Sequence, residues 1–271
     1  MTSLSRYRSW ILLALGFYPP HGERARPFRL GPLRGHVSTE FRQLLAPIVS
    51  EALGTGFRSQ GKVIHRDRHK TSLLYSSPPF PFPLYVKHYV RNDLLQDIKD
   101  RLRGSQASKA FALSLELERR LVATPAVLAV VERWERGIRK EGFLICRGYP
   151  EGVPAARLLK QLYGLNDRED FSRALKAFGE FVAGIERAGI RHGCLMSALV
   201  ALPGSGGTPV YAVTDLEQLC TLDAINDHDC LRMAQDMKRD LLKVPEGFLE
   251  ALYQEGRRAG SRILQSRVFG G

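Results

Sequence analysis

The sequence is short of acids. Its 28 Asp and Glu stand against 40 Lys and Arg, a formal net charge of +12. A surplus of that size implies an anionic partner: nucleic acid, a phosphorylated ligand or an anionic membrane surface. It also lacks paired cysteines. Cys146, Cys194, Cys220 and Cys230 form no C-x-x-C pair, which argues against zinc and thioredoxin-like chemistry. Four scattered cysteines in 271 residues fit a reducing compartment. No apolar run approaches the roughly 20 residues that a membrane-spanning helix needs. There is no repeat of fixed period and no low-complexity block. No helix-turn-helix, zinc or aromatic–basic signature accompanies the charge, so no nucleic-acid partner is expected. What remains is a globular composition, 44% hydrophobic and 25% charged, long enough for one large or two small domains.

The charge is uneven. Residues 1–36 hold six arginines against one acid, Glu23, a net charge of +5. Within them Trp10–Tyr18 reads WILLALGFY, preceded by Arg6 and Arg8 and followed by no small-x-small cleavage site. Two readings stay open: a helix or strand packed on the domain, or a shallow membrane anchor with Trp10 and Tyr18 at its edges. Pro19, Pro20, Pro27 and Pro32 make the rest of this basic extension extended. Further on, Leu94, Leu95, Ile98 and Leu102 recur at helical spacing over Asn92–Arg103, beside Lys99, Arg101 and Arg103. That is an amphipathic surface helix, or one that meets anionic lipid head groups.

The stretch that carries chemistry runs from Phe178 to Leu219. A helical run over Arg168–Arg187 ends at Ala188-Gly189, and a polar turn follows, Ile190-Arg191-His192-Gly193-Cys194. Two apolar runs, Ala198–Leu202 and Val210–Val213, flank Pro203-Gly204-Ser205-Gly206-Gly207 and read as a hairpin. Thr214-Asp215 comes next. Helix, His-Gly turn, hairpin and Asp is the order of parts in the active site of kinase-fold phosphotransferases. Asp215 stands where such sites hold metal. Cys194 stands where they hold the proton-accepting Asp, and Leu199 where they hold a second metal ligand. His192 and Cys194 also invite a Cys/His nucleophile reading, but no orienting acid lies nearby in sequence. His192 is expected to be a structural loop residue and Cys194 a small filler.

Upstream, Leu84–Val90 alternates around Lys87, the type of strand lysine that pairs nucleotide phosphates. Gly54, Gly56 and Gly61 could form a phosphate-covering loop, although three glycines near a turn also suit plain turn chemistry. Phe143–Cys146 is an apolar strand that leads into Arg147-Gly148-Tyr149-Pro150. Further helices are expected over Val153–Tyr163, Ala224–Lys243 and Gly247–Leu264.

The runs YVKHYVRNDLLQDIKDRLRGSQASKAF, VATPAVLAVVER, FLIC, GIRHG and VTDLEQL together resemble the lipopolysaccharide core kinases, the Kdo/heptose kinase family of Gram-negative bacteria. The resemblance spans roughly Gly54 to Leu242. It implies an α+β, two-lobed, protein-kinase-like fold, with a small mixed lobe over residues 37–147 and a mainly helical lobe over 148–271. It implies ATP and Mg²⁺ as cofactors, and work at the cytoplasmic face of the inner membrane. The implied partners are the lipopolysaccharide core or the anionic membrane surface, with a partner kinase or glycosyltransferase as a further candidate. Residue by residue, Lys87 matches the phosphate-binding lysine, Arg147 opens the hinge, and Asp215 matches the nucleotide- and metal-binding Asp. Asp229 matches a helix Asp that supports the catalytic loop. Phe111 matches an aromatic that follows the lysine's Glu partner, but Ala110 occupies the Glu position. The catalytic turn keeps His192 and has Cys194 in place of Asp. Two functions follow as expectations: a pseudokinase or weakly active kinase in lipopolysaccharide core and outer-membrane biogenesis, or an active ATP-dependent kinase of a core sugar, Kdo or heptose.

Overall fold

The computed structural model describes residues 25–269, apart from 55, 67–69, 91–104, 137, 166–167, 223, 242–243 and 245. The apolar run Trp10–Tyr18 and the amphipathic stretch Asn92–Arg103 therefore lie outside the described residues. The chain divides into two compact units. The first comprises Met1–Leu115 with Pro125–Pro150, and the second Glu116–Thr124 with Glu151–Gly271.

The first unit is built on one antiparallel sheet. Its strands are β1 (Ala25–Leu30), β2 (Leu33–Ser38), β3 (Lys62–Arg66), β4 (Lys70–Tyr75), β5 (Leu84–Val90), β6 (Val127–Glu135) and β7 (Ile138–Arg147), in the spatial order β1-β2-β6-β7-β5-β4-β3. Among the described residues three α-helices join it: α1 (Leu45–Leu53), α2 (Gly56–Gln60) and α3 (Gln106–Arg119), the last turn of which is counted with the second unit. Period-two alternation puts Leu73 and Tyr75 of β4 and Leu84 and Val86 of β5 on one buried face. There they meet Ile48 of α1, Phe57 of α2, and Phe143 and Ile145 of β7. Phe57 stands edge-on to Tyr75 at 5.2 Å, a favoured aromatic geometry.

Two features differ from the sequence reading. The proline-bearing stretch expected only to be extended forms the β1–β2 hairpin, and β2 pairs with β6 from Leu33↔Arg133 to Val37↔Ala129. Gly35 permits that approach: a Cβ there would lie 1.9 Å from the Val130 carbonyl oxygen. The glycines that could suit either a phosphate-covering loop or plain turn chemistry are not at a strand turn. Gly54 follows α1, Gly56 opens α2 and Gly61 precedes β3, while β3 and β4 are joined by residues 67–69, Asp-Arg-His in the sequence.

The second unit is mainly helical. It holds α4 (Ala155–Gly164), α5 (Arg168–Arg187), α6 (Asp227–Asp240) and α7 (Glu246–Ala259). Two small sheets complete it: β8 (Val153–Pro154) with β10 (Leu199–Leu202) and β11 (Val210–Val213), and β9 (Ile190–His192) with β12 (Leu219–Thr221). Along α5, Leu175, Phe178, Val182 and Ile185 recur at helical spacing and are buried, as the sequence pattern requires. Phe171 extends that stripe against Tyr163 of α4 and Phe248 of α7. Glu186, buried near the end of α5, accepts hydrogen bonds from the Arg262 backbone N–H (2.9 Å), the Arg262 Nε (2.5 Å) and the Ser261 hydroxyl (3.3 Å). Arg262 also reaches Asp227 and the Ile225 carbonyl, so one guanidinium ties the C-terminal segment to the start of α6. Three charge-assisted bonds offset the cost of burying that carboxylate.

Candidate functional site

The turn after α5 is fixed from both sides. Gly189 takes φ +68°, and a Cβ there would sit 2.3 Å from the Leu222 carbonyl oxygen, so only glycine fits without strain. The Gly189 carbonyl in turn accepts the Leu222 N–H at 2.7 Å. Arg120, just beyond α3, donates to the carbonyls of Ala188 and Leu222 and, through Nε, to Glu116 at 2.6 Å. Hydrogen bonds from Arg119, and then from Arg120, hold the Glu116 carboxyl down to about 2 despite its partial burial. The Glu116 carboxylate is thus engaged by these two arginines.

Beyond Gly189, β9 pairs with β12 through Ile190↔Thr221 and His192↔Leu219. This pairing brings His192 to Asp215. The His192 ring is 1% exposed; its Nδ1 accepts the Cys194 backbone N–H at 3.0 Å. Nε2 therefore carries the ring proton and donates it to the Asp215 carbonyl at 2.5 Å. Both nitrogens are committed to backbone, so His192 is a brace between the turn and Asp215 rather than a proton carrier. The preceding residue is held as well: Arg191 donates to the buried Asp229 carboxylate at 2.9 Å. Asp229 also donates its backbone N–H to Asn226, the N-cap of α6. The support that Asp229 gives to the turn runs through the Arg191 side chain.

Cys194 is partly exposed, and its carbonyl accepts from the Ser197 hydroxyl (3.0 Å) and the Ala198 N–H (3.1 Å). Leu199 is 2% exposed and faces Val213 across the β10–β11 ladder. A side chain packed there is part of the core and has no oxygen to offer a metal. Thr214 bonds the Ala198 carbonyl through both its N–H (2.8 Å) and its hydroxyl (2.9 Å). Asp215 follows it, half-buried, at φ −103° and ψ 86°, and opens a 3₁₀ turn over Leu216–Gln218. Among the described residues no group of three or more His, Cys, Asp and Glu side chains is clustered for a metal. Magnesium needs less than that: one or two carboxylates suffice when nucleotide phosphates supply other oxygens. Asp215 supplies one carboxylate of that kind.

The remaining expected site residues lie in the first unit. Lys87 sits in β5 at 2% exposure, opposite Ser72 of β4 and Leu144 of β7. Arg147 ends β7 opposite Leu84, with its guanidinium 5.1 Å from the Phe82 ring centroid and 5.8 Å from that of Tyr149. Its side chain thus lies against aromatic rings. In α3, Ala110 and Phe111 are both fully buried, and Phe111 stacks on His36 at 6.3 Å. Ala110 thus puts a methyl group inside the core, at the position where the resemblance expects a Glu.

Sequence reasoning missed Arg120 and Gly189. The run Glu116-Leu117-Glu118-Arg119-Arg120 did carry a local signal, since three- and four-residue spacing pairs Glu116 with both arginines. Nothing in it pointed to the carbonyls of Ala188 and Leu222. The second unit also has a cavity of about 310 Å³ among α4, α5 and the β10–β11 hairpin, lined by Val153, Leu158, Leu162, Ala201 and Leu202. Its lining includes neither Cys194 nor Asp215.

No family model matches the sequence, and no curated protein matches it. The fold does have solved relatives. A structure of WaaP in complex with acyl carrier protein matches over 89% of this chain and 93% of that one, with a TM-score of 0.54 and 20% identity. A BubR1 kinase domain matches over 75% of this chain and 52% of that one, with a TM-score of 0.41 and 10% identity. The chain has a two-lobed, protein-kinase-like α+β fold, the fold of WaaP.

Proposed function

We propose that this chain is a kinase-fold protein of lipopolysaccharide core biogenesis that binds nucleotide weakly and transfers little or no phosphate. The kinase-like fold shared with WaaP and the ordered motifs from Lys87 to Asp215 support the lipopolysaccharide core assignment. One observation carries the loss of activity: the turn has Cys194 at the base position, and the adjoining ligand position is Leu199, packed in the core. A thiol is a weak hydrogen-bond acceptor and replaces a carboxylate poorly. In this reading Lys87 would pair the nucleotide phosphates, Asp215 would hold one magnesium ion, and His192 would keep Asp215 in register with the turn. Magnesium, when bound, would neutralise charge on the phosphates.

A second reading, an active kinase of Kdo or heptose, is favoured by the bracing itself. His192, Arg191 and Arg120 all brace the turn. Positioning and electrostatics supply most of phosphoryl-transfer catalysis. The deciding assay follows label from ATP to purified core lipid for wild type, Cys194→Asp and Asp215→Ala. Leu199→Asn is left out because a buried amide without partners would destabilise β10. Restoring a general base is worth typically 10²–10⁴-fold. Cys194→Asp is therefore expected to raise a near-background rate by at least about 10²-fold. Robust wild-type transfer that collapses in Asp215→Ala would establish the second reading instead.

We place the protein at the cytoplasmic face of the inner membrane. In support, residues 1–36 are strongly basic, and no helix among the described residues is long and apolar enough to cross a membrane. Deleting residues 1–20 should move it from membrane pellet to soluble fraction. The WaaP complex makes an acyl carrier protein a further partner to test by co-purification.

A further inference from the structure

Strand β3 is unlike the rest of its sheet. It is an edge strand, and all five of its residues, Lys62–Arg66, are exposed. Val63 is 48% exposed and Ile64 56%. Among the large exposed hydrophobics described, they are the one pair adjacent in sequence. Ordinary alternation would send neighbouring side chains to opposite faces and bury one of them. The ladder explains the departure: Val63 pairs with Leu73 and His65 with Ser72, so Ile64 is the extra residue of a bulge.

The pair sits among cations. Lys62 and Arg66 bracket it within the strand, and in sequence residues 67–70 add Arg68 and Lys70 against Asp67. A single exposed Val or Ile on a soluble protein needs no explanation. Two adjacent ones inside a run of net charge +3 do. A bare strand edge could also recruit another strand, but a bulge and flanking Lys and Arg are devices that blunt such pairing. The same devices suit a bilayer, where cations meet phosphate head groups while short apolar side chains enter the interface.

We propose that the β3–β4 hairpin is a docking surface for an anionic lipid bilayer, with Val63 and Ile64 entering the interface and Lys62 and Arg66 meeting the head groups. This surface is separate from residues 1–20, and it does not rest on the phosphotransfer reading, because it acts without nucleotide. It gives a basic protein a second, folded contact with the membrane, carried on the sheet that also carries Lys87.

The test uses full-length protein and flotation with vesicles of phosphatidylcholine alone or mixed with phosphatidylglycerol, without ATP. Val63→Thr with Ile64→Thr keeps β-branched side chains but removes apolar surface. Lys62→Gln with Arg66→Gln removes two charges. Val210→Thr, at an exposed apolar residue of the other unit, is the control. Each cation near an anionic surface is worth about fivefold in binding, so the charge pair should weaken binding to the mixed vesicles by roughly 25-fold. The Thr pair should weaken it roughly tenfold, with the control unchanged and melting temperatures preserved. The same losses are expected in a chain that lacks residues 1–20. Wild-type protein that ignores anionic vesicles, or a Thr pair that binds like wild type, would overturn the proposal. So would a hairpin effect seen on single-stranded DNA but not on vesicles, or competition by millimolar inorganic phosphate that abolishes vesicle binding.

Discussion

Two histidines show how burial assigns a role to the same side chain. His192 is neutral because a backbone N–H occupies Nδ1, and its remaining proton goes to the Asp215 carbonyl. His36, on β2 against Phe111, is neutral because burial pushes its pKa from 6.5 down to about 4. The second case has a thermodynamic consequence. Between pH 6.5 and 4 the unfolded chain takes up a proton that the native state refuses. Stability from this residue is full above pH 6.5 and falls as pH drops towards 4. The expected loss is on the order of 2–3 kcal/mol across that window. Glu116, depressed to about 2, adds a further loss that begins only as pH falls through about 4.5 and so lies below this window. Urea unfolding at pH 7.5 and pH 4.5 should show His36→Gln losing clearly less stability than wild type over the interval. Parallel losses in the two proteins would remove His36 as the cause.

At the scale of elements, the approach to the site depends on a junction rather than on any single helix. Arg120 closes the end of α5 by bonding the Ala188 carbonyl and also takes the Leu222 carbonyl beside β12. Arg120→Met should leave both part-buried carbonyls short of a donor and cost about 2 kcal/mol, at the low end of roughly 1–3 kcal/mol for each unpaired group. Gly189→Ala should cost at least about 2 kcal/mol, because positive φ and the 2.3 Å approach to the Leu222 oxygen add. Both changes are read from denaturant midpoints at unchanged m-value; a shift under about 0.5 kcal/mol in either would mean that the junction does not hold the turn. This junction also marks where the sequence stops being legible. Leu84–Val90 and Arg168–Arg187 could be bounded from their patterns, since alternation and helical spacing are local. The hairpin around Pro203–Gly207 could be placed because glycine and proline punctuate it. The β1–β2 hairpin could not, because its partner β6 lies about a hundred residues on and supplies the pairing that its own prolines disfavour. Of the two readings of the glycines at 54, 56 and 61, plain turn chemistry suits their places at helix ends and a strand start. Lys87, Asp215 and the turn were legible as residue types. The His192–Asp215 bond was not, since it exists only once β9 pairs with β12.

At the scale of the whole molecule, the chain has a kinase-like fold, and the reading proposed above puts Ala110, Cys194 and Leu199 where phosphotransfer uses carboxylate or amide oxygen. A site of this kind should still bind nucleotide, but weakly. The size of the effect follows from mass action. A ligand present at its dissociation constant stabilises the native state by about 0.4 kcal/mol, and at 100 times that concentration by about 2.7 kcal/mol. For a chain of this length each kcal/mol moves the melting temperature by roughly 2–4 °C. Millimolar dissociation therefore predicts a shift of about 1 °C at 1 mM ATP with magnesium, growing to several degrees at 10 mM. Asp215→Asn should abolish the dependence on magnesium, because it removes the carboxylate that fits the ion. Lys87→Met should flatten the ATP response whatever it does to the unliganded melting temperature. A shift above about 5 °C at 0.1 mM ATP would mean a site as well formed as an active kinase's. A shift that persists unchanged in both variants would place the nucleotide somewhere other than Lys87 and Asp215.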